Sequence, residues 1–380
     1  MSPRFSVLAS VFALSCAAEP DLGTFVHRDG PRTPAPLEEG EEPRALLVTL
    51  DADGHAVALL DPESSEVVAS RPLPEAHAWD LVASPAVGDA PSRVALQSRA
   101  LEDEPAGDVS SLTVATPGQL GEPVMLGHVE GETTILASPF GVVTSEADLG
   151  ERWRLIPWGG GFTKSLACGR PLSVRVVSRG PTTIRYEVLS FFPEGALSSL
   201  DVEVQDTGVT RCEPTALEGL EPASDGISLV ELGLGYTRAA ADVQGGTLWL
   251  GALDGEAVAS WAGLEIGSSR LDSIVRFRQT DDRAVLVAVG AEPARVTLFE
   301  VQLDEAGALL VGRAEVQELA GEPPRRGRSP SRSLVVQGSW VFVATSAGVE
   351  PFEIDEAELR LLRAPVVSSA RGPLASVTLP

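Results

Sequence analysis

Short apolar runs of six to nine residues, separated by turn residues, recur along most of the chain. Residues 271–316 show the pattern best, with LDSIVRFRQ, RAVLVAVG, ARVTLFEVQL and ALLVGRAEV joined by TDD, AEP and DEAG. Runs of this length rich in Val, Leu and Phe are typical of strands, and Gly, Pro and Asp at the junctions are typical of turns. The pattern predicts an all-β chain in which amphipathic helices are scarce.

The predicted strands fall into units of four. Beside residues 271–316, units of this kind occupy 332–366 and 79–128, and less regular ones follow at about 131–168, 172–212 and 226–266. A single small sheet cannot bury both of its faces, but sheets stacked around an axis can. Four-stranded units of about 40–50 residues in series therefore predict a β-propeller, and about 27 candidate strands suit seven four-stranded blades.

The two ends of the predicted ring complement each other. Residues 44–72 supply three strands, and the final GPLASVTLP supplies one. An unpaired strand edge is an aggregation hazard. We therefore predict that the C-terminal strand, about Leu374 to Leu379, completes the first blade; Gly23-Thr-Phe-Val-His27 is the alternative donor of the missing strand.

Two short stretches carry a resemblance to known propellers. VALLDPESSEVVASRPLP, at 57–74, resembles the strand–Asp-Pro–strand unit of YVTN-type bacterial propellers, which lactonase-like proteins share. The pair Trp79-Asp80 resembles that of WD repeats but occurs only once, so Trp79 is interpreted as a packing residue. The resemblance covers one blade, so it implies the propeller architecture for residues 44–380 and no particular enzyme family.

The N-terminal segment predicts export. Arg4 precedes an apolar run, Phe5 to Ser15, which is too short to span a bilayer, since that needs about 20 residues, but suits a signal peptide. Ala13-Leu14-Ser15-Cys16 resembles a bacterial lipobox, although its Leu stands two rather than three places before Cys16. We predict a signal peptide at 1–15, lipidation of Cys16, and an acidic tether rich in Pro and Gly at 16–43.

The predicted signal peptide and lipidated cysteine indicate where in the cell the protein lies. We expect a lipoprotein of the outer membrane or the periplasmic face, held to the membrane by its lipid anchor only. Ordinary secretory cleavage would instead give a soluble periplasmic or secreted protein.

Two cysteines, Cys168 and Cys212, remain after Cys16. In an exported domain they predict a disulfide that stabilises the fold by about 3–4 kcal/mol. The alternative is two separate thiols.

The composition and the short motifs argue against several classes of function. A net charge of −25 argues against nucleic-acid binding. The four histidines, at 27, 55, 77 and 128, are interpreted as isolated surface residues, and no familiar catalytic motif occurs. Asp51-Ala-Asp53-Gly54 resembles half of a calcium loop, but Asp-Gly between strands favours a hairpin turn. We predict no catalytic residue and no resident cofactor, with calcium as the alternative.

One basic stretch stands out in this acidic protein. Arg325, Arg326, Arg328 and Arg332 lie within PPRRGRSPSR and form a candidate loop for an anionic partner, the alternative being a solvated loop.

The sequence as a whole favours a monomeric binding scaffold for an envelope protein or ligand. The alternative is a lactonase-like hydrolase with its site in the axial channel. Calcium-dependent propellers of that class use Asn among their metal ligands, and this chain contains no Asn.

Overall fold

The computed structural model describes most of residues 45–378. The stretches outside the description are 52–53, 74–76, 85–91, 100–106, 116–118, 130–132, 147–151, 192–196, 221–226 and 325–331, together with positions 181, 219, 235, 281 and 371. Within the described residues all regular structure is strand, and no helix long and apolar enough to cross a membrane is found there. The predicted signal peptide, Cys16 and the predicted tether lie outside the described residues.

The described strands form seven antiparallel sheets, each of which is one blade of a propeller. Blade 1 contains β1 (Ala45–Leu50), β2 (Ala56–Leu60), β3 (Val67–Pro72) and the C-terminal β29 (Ala375–Thr378). Blade 2 contains β4 (His77–Ser84), β5 (Ser92–Arg99), β6 (Gly107–Ala115), β7 (Gln119–Leu120) and β8 (Val124–Val129). Blade 3 contains β9 (Thr133–Ser138), β10 (Gly141–Glu146), β11 (Arg152–Pro157) and β12 (Leu166–Ala167).

The other four blades follow the same order from the axis outward. Blade 4 contains β13 (Arg170–Arg179), β14 (Thr183–Phe191), β15 (Leu197–Gln205) and β16 (Gly208–Ala216). Blade 5 contains β17 (Ser228–Leu234), β18 (Tyr236–Gln244), β19 (Thr247–Asp254) and β20 (Ala257–Glu265). Blade 6 contains β21 (Arg270–Gln279), β22 (Arg283–Ala291), β23 (Arg295–Leu303) and β24 (Leu309–Glu318), and blade 7 contains β25 (Leu334–Gln337), β26 (Trp340–Thr345), β27 (Gly348–Asp355) and β28 (Arg360–Arg363).

The seven-bladed all-β architecture predicted from the strand periodicity is confirmed. Blade 2 departs from the four-strand plan, because β7 and β8 both pair with β6, at opposite ends of that strand. The first unit has three local strands, as expected.

Burial follows the stacking of the sheets. All six residues of β10, in the middle of blade 3, are buried, whereas the outermost strand of blade 6, β24, is exposed along most of its length. A middle strand is covered on both faces by neighbouring blades, so its sequence reads as a continuous apolar run. An outermost strand has one solvated edge and carries more polar residues.

The core is divided into seven apolar clusters, one at each boundary between neighbouring blades. The cluster between blades 7 and 1 contains Leu47, Leu60, Phe342 and Leu374, all at most 2% exposed. This boundary joins the two ends of the chain. The ring is therefore closed by apolar packing on every side.

Ring closure uses the C-terminal strand, as predicted. β29 pairs antiparallel with β1, with Leu46 opposite Val377 and Val48 opposite Ala375. Val377 is fully buried and belongs to the cluster between blades 1 and 2. The last strand of the chain is thus the innermost strand of the first blade.

We expect deletion of residues 372–380 to destabilise the ring much more than deletion of residues 19–40. The first deletion removes the buried Leu374 and Val377 and exposes the edge of β1, which lowers the melting temperature by at least about 5 °C. Thermal denaturation and limited proteolysis of both proteins measure the difference. If the C-terminal deletion melts like the full chain while the tether deletion collapses, β29 is not the closing strand.

Candidate functional site

One end of the axis is crossed by a buried ion pair. Arg332, just before the innermost strand of blade 7, donates from Nη1 to Asp80 Oδ1 of blade 2 at 2.6 Å. The Asp80 side chain is fully buried, and that of Arg332 is 14% exposed. The guanidinium also donates to the carbonyls of Leu81 and Ile135, on blades 2 and 3. This single side chain therefore connects blades that lie on different sides of the axis.

A second polar contact lies at the same end, between blades 6 and 7. The Ser333 hydroxyl donates to the carboxylate of Asp272 and lies 3.1 Å from the Ser273 hydroxyl. All three residues are buried. Ser333 follows Arg332 directly, and Asp272 lies near the start of β21, so the innermost strands of the two blades begin side by side. Side-chain hydrogen bonds thus connect blades 6 and 7 at this end of their innermost strands.

A groove of about 380 Å³ opens between blades 6 and 7, at the other end of the innermost strands. Its floor is apolar and consists of Phe277, Val285, Ile354 and Leu359. Ile354 and Leu359 are buried, and Phe277 and Val285 are partly buried against the same cluster. The floor exists because the end of β21 and the start of β22 face the turn between β27 and β28.

The rim of the groove carries charges of both signs. Arg278 of blade 6 forms an ion pair with Glu356 of blade 7, and both side chains are about half exposed. Arg283 lies 3.6 Å from Glu300, measured between Nη1 and Oε1. A hydrogen bond from Thr280 holds the pKa of Asp282 below its usual range, so this carboxylate is charged at neutral pH. The arrangement is an apolar slot with a charged, solvated border.

A network of arginines and glutamates extends from the groove toward blades 4 and 5. Arg276 donates to Gln279 at 2.9 Å and lies 3.2 Å from Glu231. Deeper in the ring, the buried Glu187 accepts from Arg175, with Nη2 to Oε2 at 2.6 Å, and forms a second ion pair with Arg238. Burial lowers the pKa of both Arg175 and Arg238. These pairs fix the packing of three consecutive blades.

Of the four arginines predicted to bind an anionic partner, the structure describes Arg332. Arg332 makes the internal contacts with Asp80, whereas Arg325, Arg326 and Arg328 lie outside the described residues. The predicted loop for an anionic partner, with its four arginines, stays a prediction. Sequence inspection missed the role of Arg332 because Asp80 is 252 positions away.

The described part of Asp51-Ala-Asp53-Gly54 forms a turn between β1 and β2. The Asp51 carboxylate accepts from the Ala56 amide at 2.9 Å, and Gly54 has a positive φ of 70°. Of the histidines, His55 is exposed and His128 lies at the surface, with Nδ1 2.8 Å from Asp108. No group of three His, Cys, Asp or Glu suited to a metal ion occurs among the residues that the structure describes.

Cys168 and Cys212 are both free thiols in the structure. Cys168 follows β12 and is fully buried, whereas Cys212 lies on β16 and is partly buried. The two residues lie on neighbouring blades, as the strand assignment predicted. Whether they form a disulfide stays a prediction.

No protein-family model and no curated protein sequence matches the chain. Among solved structures, apo AztD from Citrobacter koseri is similar over 89% of this chain and 99% of its own, with 10% identity and a TM-score of 0.50. A protein from Lactobacillus plantarum covers 89% of this chain and 100% of its own, with 12% identity and a TM-score of 0.49. The C-terminal WD40 domain of Sif2 covers 88% and 83%, with 15% identity and a TM-score of 0.46.

The similarity to apo AztD agrees with the topology at the level of fold. The chain is a seven-bladed β-propeller, and the similarity to apo AztD extends over nearly the whole ring. At 10% identity this similarity concerns the fold alone.

We expect Arg332→Met to lower the free energy of unfolding by about 3–5 kcal/mol, because the Asp80 carboxylate then stays buried without its guanidinium partner. Urea unfolding measures the change. Arg360→Met is the matched control, since Arg360 pairs with Glu358 at 3.0 Å but both side chains are exposed. This control should change the free energy of unfolding by at most about 1 kcal/mol. Equal losses in the two variants would contradict a special role for the axial pair.

Proposed function

We propose that the protein is a non-enzymatic binding scaffold of the cell envelope, whose propeller docks a segment of a protein partner in the groove between blades 6 and 7. The groove itself is the observation that carries the proposal. Its apolar floor suits an aliphatic or aromatic side chain, and its volume is within the range of ligand sites in proteins.

Charge on the rim supports a peptide rather than a lipid or a nucleic acid. Arg278 and Glu356 form a half-exposed ion pair at the rim, and Asp282 and Arg283 continue the border. A border of both signs complements a peptide that has charged residues on either side of an apolar anchor. A polyanion would meet the acidic members of the same border.

The lactonase-like alternative is less well supported. That alternative requires an open site in the axial channel, and one end of the axis holds the Arg332–Asp80 pair. The arginine is engaged by a carboxylate and two backbone carbonyls, so its guanidinium is not free to bind a substrate at this end.

Charge reversal at the rim tests the scaffold proposal. We expect Arg278→Glu to reduce recovery of crosslinked envelope proteins by at least about tenfold, because it places a carboxylate beside Glu356 where a partner carboxylate would pair with Arg278. Recovery is measured by affinity capture after crosslinking in native envelopes, with quantitative mass spectrometry.

Arg211→Glu is the matched control for that experiment. Arg211 also forms an exposed pair with a glutamate, Glu213, but lies on the outermost strand of blade 4. Partners recovered with the wild-type chain and with Arg211→Glu, but lost with Arg278→Glu, support the groove. Equal recovery with all three chains, or no specific recovery with any, counts against it.

The predicted anchor is tested separately. If Cys16 bears the lipid, Cys16→Ser should move the protein from the detergent phase to the aqueous phase in a phase-partitioning experiment, because the acyl chains are lost. Retention of both forms in the detergent phase would exclude lipidation at this residue. The wild-type chain in the aqueous phase would favour the soluble periplasmic or secreted alternative.

A further inference from the structure

The two cysteines meet at the boundary between blades 3 and 4. Cys168 belongs to the apolar cluster of that boundary, and Cys212 packs against the same cluster. The chain reaches Cys168 from β12, the outermost strand of blade 3, and Cys212 lies on β16, the outermost strand of blade 4. Outermost strands diverge with distance from the axis, yet β12 and β16 contact each other here and both cysteines pack in the same apolar cluster.

We propose that Cys168 and Cys212 form a redox-active thiol pair, which a disulfide oxidant converts into a covalent link between the outermost strands of blades 3 and 4. The oxidant belongs to the class of thiol–disulfide exchange reagents, either a small disulfide or an oxidoreductase with a reactive disulfide. The inference is independent of the groove, because it concerns a different boundary of the ring.

The reaction proceeds in two exchanges. The Cys212 thiolate attacks one sulfur of the oxidant, forming a mixed disulfide and releasing the first oxidant thiol. The Cys168 thiolate then attacks the Cys212 sulfur, forming the Cys168–Cys212 bond and releasing the second oxidant thiol. Two protein thiols lose two electrons and two protons, and the oxidant disulfide gains both to become two thiols.

Access sets the order of the two steps. Cys212 is partly buried and can be reached at the edge of β16, whereas Cys168 is fully buried. The hydrogen bond with Cys212 and burial both raise the pKa of the Cys168 thiol well above its usual range. Cys168 is therefore the weaker first nucleophile and acts as the resolving residue once Cys212 carries the oxidant.

A Cys168–Cys212 disulfide would reinforce the shortest strand pairing at the boundary between blades 3 and 4. β12 pairs with β11 through only two residues, Leu166 and Ala167. Cys168 follows directly, and the Trp153 indole donates to the next carbonyl, that of Gly169, at 2.9 Å. A covalent bond from Cys168 to the nine-residue β16 fastens this short strand to a long one.

Oxidised glutathione is the probe that tests the pair. After treatment of the full-length protein, non-reducing digestion should join the tryptic peptides 165–175 and 212–238, with a mass two hydrogens below their sum. The melting temperature should exceed that of the protein in dithiothreitol by about 5 °C, from the loop that the bond closes.

Single substitutions test the order of attack. Cys168→Ser should accumulate a glutathione adduct at Cys212, because the resolving thiol is missing. Cys212→Ser should leave Cys168 unmodified over the same period. Melting temperatures of all three chains in dithiothreitol confirm that each is folded.

Two results would overturn the proposal. One is a folded wild-type protein that keeps both thiols free after prolonged oxidation. The other is a Cys212→Ser protein whose Cys168 forms the adduct as fast as Cys212 does in the opposite variant, since Cys168 would then not be the protected, resolving member. The wild-type digestion needs no substitution, so a variant that failed to fold would not affect it.

Discussion

Closure of the ring between blades 7 and 1 is the constraint on which the other six boundaries depend. Each sheet has two apolar faces, and every face is covered only if the last blade packs against the first. Two backbone contacts of the C-terminal segment meet this requirement. β29 completes blade 1 by pairing with β1, and the Leu374 amide, just before β29, donates to the Arg332 carbonyl of blade 7 at 2.9 Å. Both contacts join segments that are remote in sequence.

Arg332 connects the closing segment to blades on the other side of the axis. Its backbone contacts the segment entering blade 1, and its side chain contacts blades 2 and 3. Arginine suits this position because its planar fork can donate to a carboxylate and to carbonyls in different directions at once. A buried ion pair contributes little net stability compared with apolar packing, but a broken one is unfavourable. We infer that the pair favours one register of the seven blades over alternatives that pack equally well.

Sequence periodicity predicted the strands, the number of blades and the closing strand, because each of these depends on local runs of apolar and turn residues. The second partner of β6 was not predicted, since β7 pairs through only two residues, Leu120 and Gln119. The axial pair and the groove were also missed. Asp80 and Arg332 lie far apart in the chain, and the groove floor combines Phe277 with Leu359, so neither leaves a local pattern. Only the folded ring brings such residues together.

The position of the two cysteines depends on an irregularity in blade 3. In a regular propeller the outermost strands diverge, and that divergence argues against a bond between neighbouring blades. Blade 3 is not regular, because β12 ends after two residues and the chain turns inward at Cys168 toward β13. The thiol therefore lies in the boundary core rather than on the outer surface, where it meets Cys212. A short strand with few hydrogen bonds opens more readily than its neighbours. The same feature that brings the thiols together thus makes this boundary one where a covalent link would limit opening.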